Sequence, residues 1–220
     1  MSDISDNTID LVITDPPWNI GVQFGHTIDR QSPEDYIKFI GKVVQEIKRV
    51  LTIEGLCVIS LAERVQFNNR ETNLPELYNS IFSKYGFNLI ESINTKLIEE
   101  DNKWSIKKLF GWNKYRSNKF YSKNGKILVF SRNQKTTINT NKINDKTFKF
   151  KETKEHPCPT SIYMAQTLLD VFYKKGDKVL DPFMGTANIG LEVIKRDGVF
   201  YGYELVNDYF NTARRKLILK

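Results

Sequence analysis

Asp15-Pro16-Pro17-Trp18 sets a carboxylate, two residues without a backbone N–H and a large flat ring directly after the apolar run Leu11-Val12-Ile13. Consecutive prolines force an extended exit from a strand and prevent a helix from starting there, so acid and ring are held at a sheet rim. Such a group suits chemistry on an aromatic amine such as adenine N6. The amine lone pair is delocalised into the ring, and it attacks an electrophilic methyl group only once localised. One amine N–H donating to the Asp15 carboxylate and another to the Pro16 carbonyl would pull the nitrogen toward tetrahedral geometry, while Trp18 stacks on the base. Taken alone, the motif is equally compatible with a Pro-rich turn whose Trp18 is a rim aromatic.

A second group stands near the other end. Lys178-Val179-Leu180 runs into Asp181-Pro182-Phe183-Met184-Gly185-Thr186-Ala187-Asn188, after which an apolar helical pattern begins. The order is strand, tight turn, helix. Gly185 permits a close approach of backbone to ligand, and the free N–H groups of the following helix offer donors. A further strand, Val199 to Tyr203, ends in Glu204. An acid at the tip of the second strand of a doubly wound unit is placed to accept hydrogen bonds from both ribose hydroxyls.

In this order the motifs resemble the beta class of amino-methyltransferases acting on DNA, the permuted group in which the acid-Pro-Pro-aromatic turn precedes the cofactor motif. Three blocks carry the resemblance: Asp10 to Asn19, His156-Pro157-Cys158-Pro159, and Gly176 to Glu204. It implies an α/β fold with a Rossmann-like, doubly wound, mostly parallel sheet, and S-adenosylmethionine as methyl donor. Phe183, Gly185 and Thr186 would line the cofactor, Asp181 would end the first cofactor strand, and Glu204 would hold the ribose. The His156-Pro157 block would open a helix beside the methionine end, with Thr160 as its cap and a cofactor contact. Three departures stand out. Ala187 replaces a second glycine, and its methyl is expected to narrow the adenosine space. Trp18 replaces a Tyr. Few residues precede Asp6 to Asp10 where the family carries a strand, which suggests either a truncated copy or a sheet short of one N-terminal edge strand.

The remaining elements are read from periodicity. Ser32 caps a helix with apolar positions from Tyr36 to Leu51, Gly55 to Leu61 reads as a central strand, and a helix around Leu74 to Tyr85 precedes strands at Phe87 to Leu97 and Ile127 to Ser131. At 220 residues and 40% hydrophobic content the chain fits one methyltransferase domain, 1–220. Residues 101–126 interleave basic and aromatic side chains, as a nucleic-acid-contacting segment would; Lys114, Arg116 and Lys119 are the candidate phosphate contacts. Residues 133–155 are polar and read as a linker or loop in place of a large target-recognition region.

Composition narrows the partners. A net charge of +7 favours a polyanion, here DNA, although an ordinary basic surface has the same balance. Two cysteines without a CxxC pair suggest a reducing compartment, and two histidines assemble no familiar zinc site, so no metal is expected. No apolar signal region or bilayer-length run stands out, and a cytoplasmic location is expected. The resulting expectation is methylation of adenine N6 in DNA by base flipping, in a restriction-modification or phage-like setting; an Asp opening the motif favours adenine by family pattern. Cytosine N4, RNA adenine and a catalytically silent nucleic-acid-binding subunit stay open. So do a specificity or partner chain and the choice between monomer and dimer.

Overall fold

The computed structural model describes residues 1–67, 70–99, 123–140, 143, 147–150, 153 and 155–218. In chain order these form β1 (Ile9–Thr14), the short pair β2 (Gln23–Phe24) and β3 (Thr27–Ile28), α1 (Pro33–Val50), β4 (Leu51–Ala62), β5 (Arg64–Phe67) and β6 (Arg70–Asn73). They continue with α2 (Leu74–Lys84), β7 (Asn88–Glu99), β8 (Asn124–Ser131), β9 (Thr147–Phe150), α3 (Ile162–Phe172), β10 (Lys178–Asp181), α4 (Asn188–Ile194), β11 (Val199–Gly202) and α5 (Asn207–Ile218).

One seven-stranded sheet in the order β11-β10-β1-β4-β8-β7-β9 carries the core. Parallel pairing joins β1 to β10 and to β4, β10 to β11, and β7 to β9, whereas β8 pairs antiparallel with both β4 and β7. Only β8 therefore runs against the rest, and the sheet is mostly parallel as expected. The central strands are apolar on both faces: Val12, Ile13, Cys57, Val58, Val129 and Phe130 are all fully buried.

The helices begin where their capping chemistry says they should. Ser32 accepts the Asp35 N–H and Pro33 opens α1, with Glu34 and Asp35 in the first turn and Lys48 and Arg49 in the last. Asn73 caps α2 in the same way through the Glu76 N–H. The α1 face bearing Tyr36, Ile40, Val44 and Ile47 is buried.

The sheet edges add two observations. Outside β11 no further strand pairs among the described residues. The N-terminal stretch instead lies near α1: Arg49 donates to the carbonyls of Ile4 and Met1 at 2.8 and 2.7 Å and to Asp6 at 2.7 Å, and Ile4 is buried. At the opposite edge, part of the segment expected to be a loop is a strand, because β9 pairs with β7 from Lys96↔Thr147 to Glu99↔Phe150. Phe148 is buried there and anchors a stretch too polar to show strand periodicity.

Candidate active site

Parallel strands end on the same side of a sheet, so the turns after β1 and β10 emerge next to each other. Register makes this concrete, since Val12 lies opposite Leu180. Both turns border one cavity of about 580 Å³, which is also lined by residues of the β2–β3 hairpin, α1, β4, the 156–161 segment and the end of β11. Of the candidates read from the sequence, Asp15, Pro16, Pro17, Trp18, His156, Thr160, Phe183, Gly185, Thr186 and Glu204 all line it. Pro157 and Asp181 are not among its lining residues. Lys114, Arg116 and Lys119 lie outside the described residues.

Asp15 is half-buried, and its Oδ1 has no solvent access and no well-formed hydrogen bond among the described residues. Burial, reinforced by the charge of Asp181 and opposed by the Trp18 indole N–H, pushes its carboxyl up to about 7. Asp181 is satisfied internally: its Oδ1 accepts the Thr14 hydroxyl at 2.7 Å and the Phe183 N–H at 3.0 Å. Burial raises it to about 7 as well, the two donors working against that rise. Its place is behind the wall, where it fixes the turn after β10 to the last residue of β1.

The opposite wall is built from Glu204. One of its carboxylate oxygens accepts the Gly185 N–H at 3.0 Å and the other the Val206 N–H at 2.7 Å. The acid thus ties the glycine turn to the end of β11 and also lines the cavity. Gly185 has φ +52°, and a Cβ there would lie 3.1 Å from His156 Nε2, so both conformation and space call for glycine. His156 is buried and held well below its ordinary pKa, to about 4, by desolvation. Its Nδ1 accepts the Cys158 N–H at 3.2 Å, which places the proton of the neutral ring on Nε2, toward Gly185. Thr160 precedes the N-cap of α3, which is Ser161, and its carbonyl accepts from Asn188 at 2.7 Å. It is thus a wall residue rather than the helix cap expected from the sequence.

Ala187 departs from expectation in an instructive way. It takes the left-handed conformation, φ 58° and ψ 42°, that a glycine would fill without strain. Its methyl is buried with Met184 and Ala213, and Ala187 is not among the cavity-lining residues.

Several cavity residues carried no signal in the sequence. The β2–β3 hairpin is fastened by the Gly25 N–H donating to the Tyr209 hydroxyl at 3.2 Å, and Phe24 packs on His156 at 5.6 Å between ring centroids. Asp29, in the cavity lining, accepts from the Ile20 and Val22 N–H groups and is raised to about 7 by burial. Ser60, at the end of β4, and Phe148 border the far side, beyond Asp15 from the glycine turn. Tyr36, in sequence only one apolar position of α1, donates its hydroxyl to the Pro17 carbonyl at 2.7 Å.

S-adenosylmethionine, the cofactor expected from the sequence, fits these residues. The Glu204 carboxylate suits ribose hydroxyls, the glycine turn admits close approach, Phe183 offers an aromatic face, and the Asp15 carboxyl on the cavity wall suits a neighbouring cation.

Strand order, permuted motifs and a shared cavity define a methyltransferase of the doubly wound class. The sequence model of the N6/N4 DNA methylases, described as DNA methylase, matches residues 9–215, and the chain belongs to that family. Among curated relatives, it is 25% identical over 230 residues to the type II methyltransferase M.HpaI of Haemophilus parainfluenzae, covering 99% of this chain and 70% of that protein. To the DNA adenine methyltransferase YhdJ of Escherichia coli K12 it is 23% identical over 239 residues, covering 96% and 76%. Among solved structures, the cytosine-N4-specific PvuII DNA methyltransferase superposes with TM-score 0.72 at 14% identity, covering 98% of this chain and 81% of that one. The M1.HpyAVI–SAM complex superposes with TM-score 0.63 at 18% identity, covering 96% and 89%.

Proposed function

We propose that this protein transfers a methyl group from S-adenosylmethionine to the exocyclic N6 of adenine in DNA. The observation that carries the reading is the single cavity shared by the Asp15-to-Trp18 turn and the Gly185–Glu204 wall. Adenine is supported by the Asp that opens the motif and by the relative named as a DNA adenine methyltransferase. The cytosine-N4 alternative is supported by the PvuII neighbour, and its amine would meet the same acceptors.

When bound, the cofactor supplies an electrophilic methyl on a sulfonium sulfur. Glu204 holds the ribose, and the Gly185 turn and Phe183 shape the adenosine site. An adenine turned out of the helix costs a few kcal/mol of stacking and pairing, about what Trp18 stacking and polar contacts to its edge return. Ionised Asp15 accepts one N6 hydrogen and the Pro16 carbonyl the other, which localises the nitrogen lone pair. As the N–CH3 bond forms the S–CH3 bond breaks, its electron pair staying on sulfur, and the nitrogen then releases one proton to solvent. Lys114, Arg116 and Lys119 would meet phosphates.

Incubating the protein with methyl-labelled cofactor and mixed-sequence DNA or RNA, then digesting to nucleosides, tests this directly. Label in N6-methyldeoxyadenosine is expected. Label in N4-methyldeoxycytidine would establish the alternative, label in RNA alone would reassign the substrate, and no label in any nucleoside would refute the activity.

A further inference from the structure

We infer that Tyr36 is a positioning residue for the amine-accepting turn, holding the Pro17 carbonyl so that Trp18 and the Pro16 carbonyl keep the orientation that the reaction needs. The inference rests on the proposed methyl transfer and concerns a residue to which that proposal gives no role. Pro16 and Pro17 have no backbone N–H, so at these two positions the turn can be fastened only through its carbonyls. Tyr36, with 2% of its surface exposed, supplies that hold from outside the turn, its hydroxyl donating to Pro17 O at 2.7 Å. The Pro17 carbonyl belongs to the peptide that leads into Trp18, so holding it holds the backbone from which that ring projects.

The hold has a second member. Tyr78 of α2 lies 2.9 Å from Tyr36, hydroxyl to hydroxyl, and is fully buried. Because the Tyr36 proton faces Pro17, Tyr78 is the donor in this second bond. Burial keeps both phenols well above their ordinary pKa, so both remain protonated donors throughout the working range. The chain of bonds thus runs from α2 through α1 to the turn. Its last link is the one that touches the reactive segment.

This order of links makes the test asymmetric. Tyr36→Phe removes the bond to Pro17, whereas Tyr78→Phe leaves it in place. Steady-state methylation by the 220-residue protein, with cofactor affinity by calorimetry and each variant assayed about 10 °C below its own unfolding midpoint, separates positioning from plain packing. Tyr36→Phe is expected to lower kcat at least about tenfold, since a small misplacement of reacting groups costs that much or more. KM for DNA and cofactor Kd should stay within about twofold. Tyr78→Phe is expected to stay within about threefold of wild type, and the double variant to match Tyr36→Phe. Wild-type kcat in Tyr36→Phe, or equal losses in both single variants that track only their unfolding midpoints, would overturn the inference while leaving the proposed function intact. Absence of any transfer by the wild type would overturn both.

Discussion

Asp15-Pro16 follows β1 and Asp181-Pro182 closes β10, two neighbouring parallel strands, so the molecule carries the same dipeptide twice on the same rim. Burial pushes both carboxyls to about 7, yet their surroundings diverge. Asp181 faces inward onto Thr14 and the Phe183 N–H, while Asp15 keeps an oxygen without a well-formed bond among the described residues and lines the cavity. The residue after each proline makes the difference. Behind Pro182 stands Phe183, whose N–H folds back onto the acid; behind Pro16 stands Pro17, which has no N–H to offer. One acid is thereby a fastening, and the other is the one we propose meets the substrate.

The sharpest way to break this comparison is to remove the acid assigned to chemistry. Asp15→Ala should lower the rate of methyl incorporation at least about 10³-fold, as loss of a charge-stabilising acceptor does, with cofactor affinity by calorimetry changed less than about threefold; a smaller rate loss would place the chemistry elsewhere. On the other wall, Glu204→Ala should weaken cofactor binding by about 10- to 100-fold, the cost of a lost charged acceptor, and leave kcat at saturating cofactor near wild type. A fall in kcat without a change in affinity would contradict the ribose-holding role.

The pH dependence of stability sharpens the contrast further. Asp15 has a folded pKa of about 7 against an ordinary value of 3.8, so between these values the folded protein binds more protons than the unfolded chain. Its contribution is therefore an unfavourable one that grows as pH rises from about 4 to 7 and is complete above that. Asp15→Asn should stabilise the cofactor-free protein above pH 7 by on the order of 1 kcal/mol, the gain vanishing below about pH 4. His156, lowered to about 4, has the opposite slope, with stability rising from about pH 4 to 6.5, so the comparison is between variant and wild type at each pH. Denaturant titrations across that range check the sign. The smallest effect is expected at Ala187. Replacing it with glycine relieves a left-handed alanine but removes a buried methyl and loosens the unfolded chain, so stability should move by less than about 1 kcal/mol and cofactor Kd by less than about twofold.

Both chemical turns are legible in the sequence because turn chemistry is local: prolines, a glycine and an acid at a strand tip constrain the backbone wherever they occur. Helices α1 and α2 are equally legible from their caps and apolar periods. The joining of the two turns into one cavity is not local, and the resemblance rather than spacing points to it. β9 escapes notice because the stretch around its buried Phe148 is too polar to show strand periodicity. The hairpin β2–β3 is two residues per strand and depends on Tyr209, 184 residues away from Gly25. Tyr36 shows in the sequence as part of a buried helix face, but periodicity reports burial and says nothing about where a hydroxyl points. Asp181 reads as a cofactor residue by motif, whereas its bonds to Thr14 and Phe183 emerge only once two strands are set side by side.

The division of labour between the two acids is tested most directly by single-turnover methyl transfer at saturating cofactor, run in parallel for Asp15→Asn and Asp181→Asn. Asparagine keeps the shape of each side chain and removes its charge, and an amide can still accept the Thr14 hydroxyl. The expected result is no measurable transfer in the Asp15 variant and transfer within about a hundredfold of wild type in the Asp181 variant, the loss there coming from a disturbed turn. Transfer that survives in Asp15→Asn and disappears in Asp181→Asn would contradict the assignment.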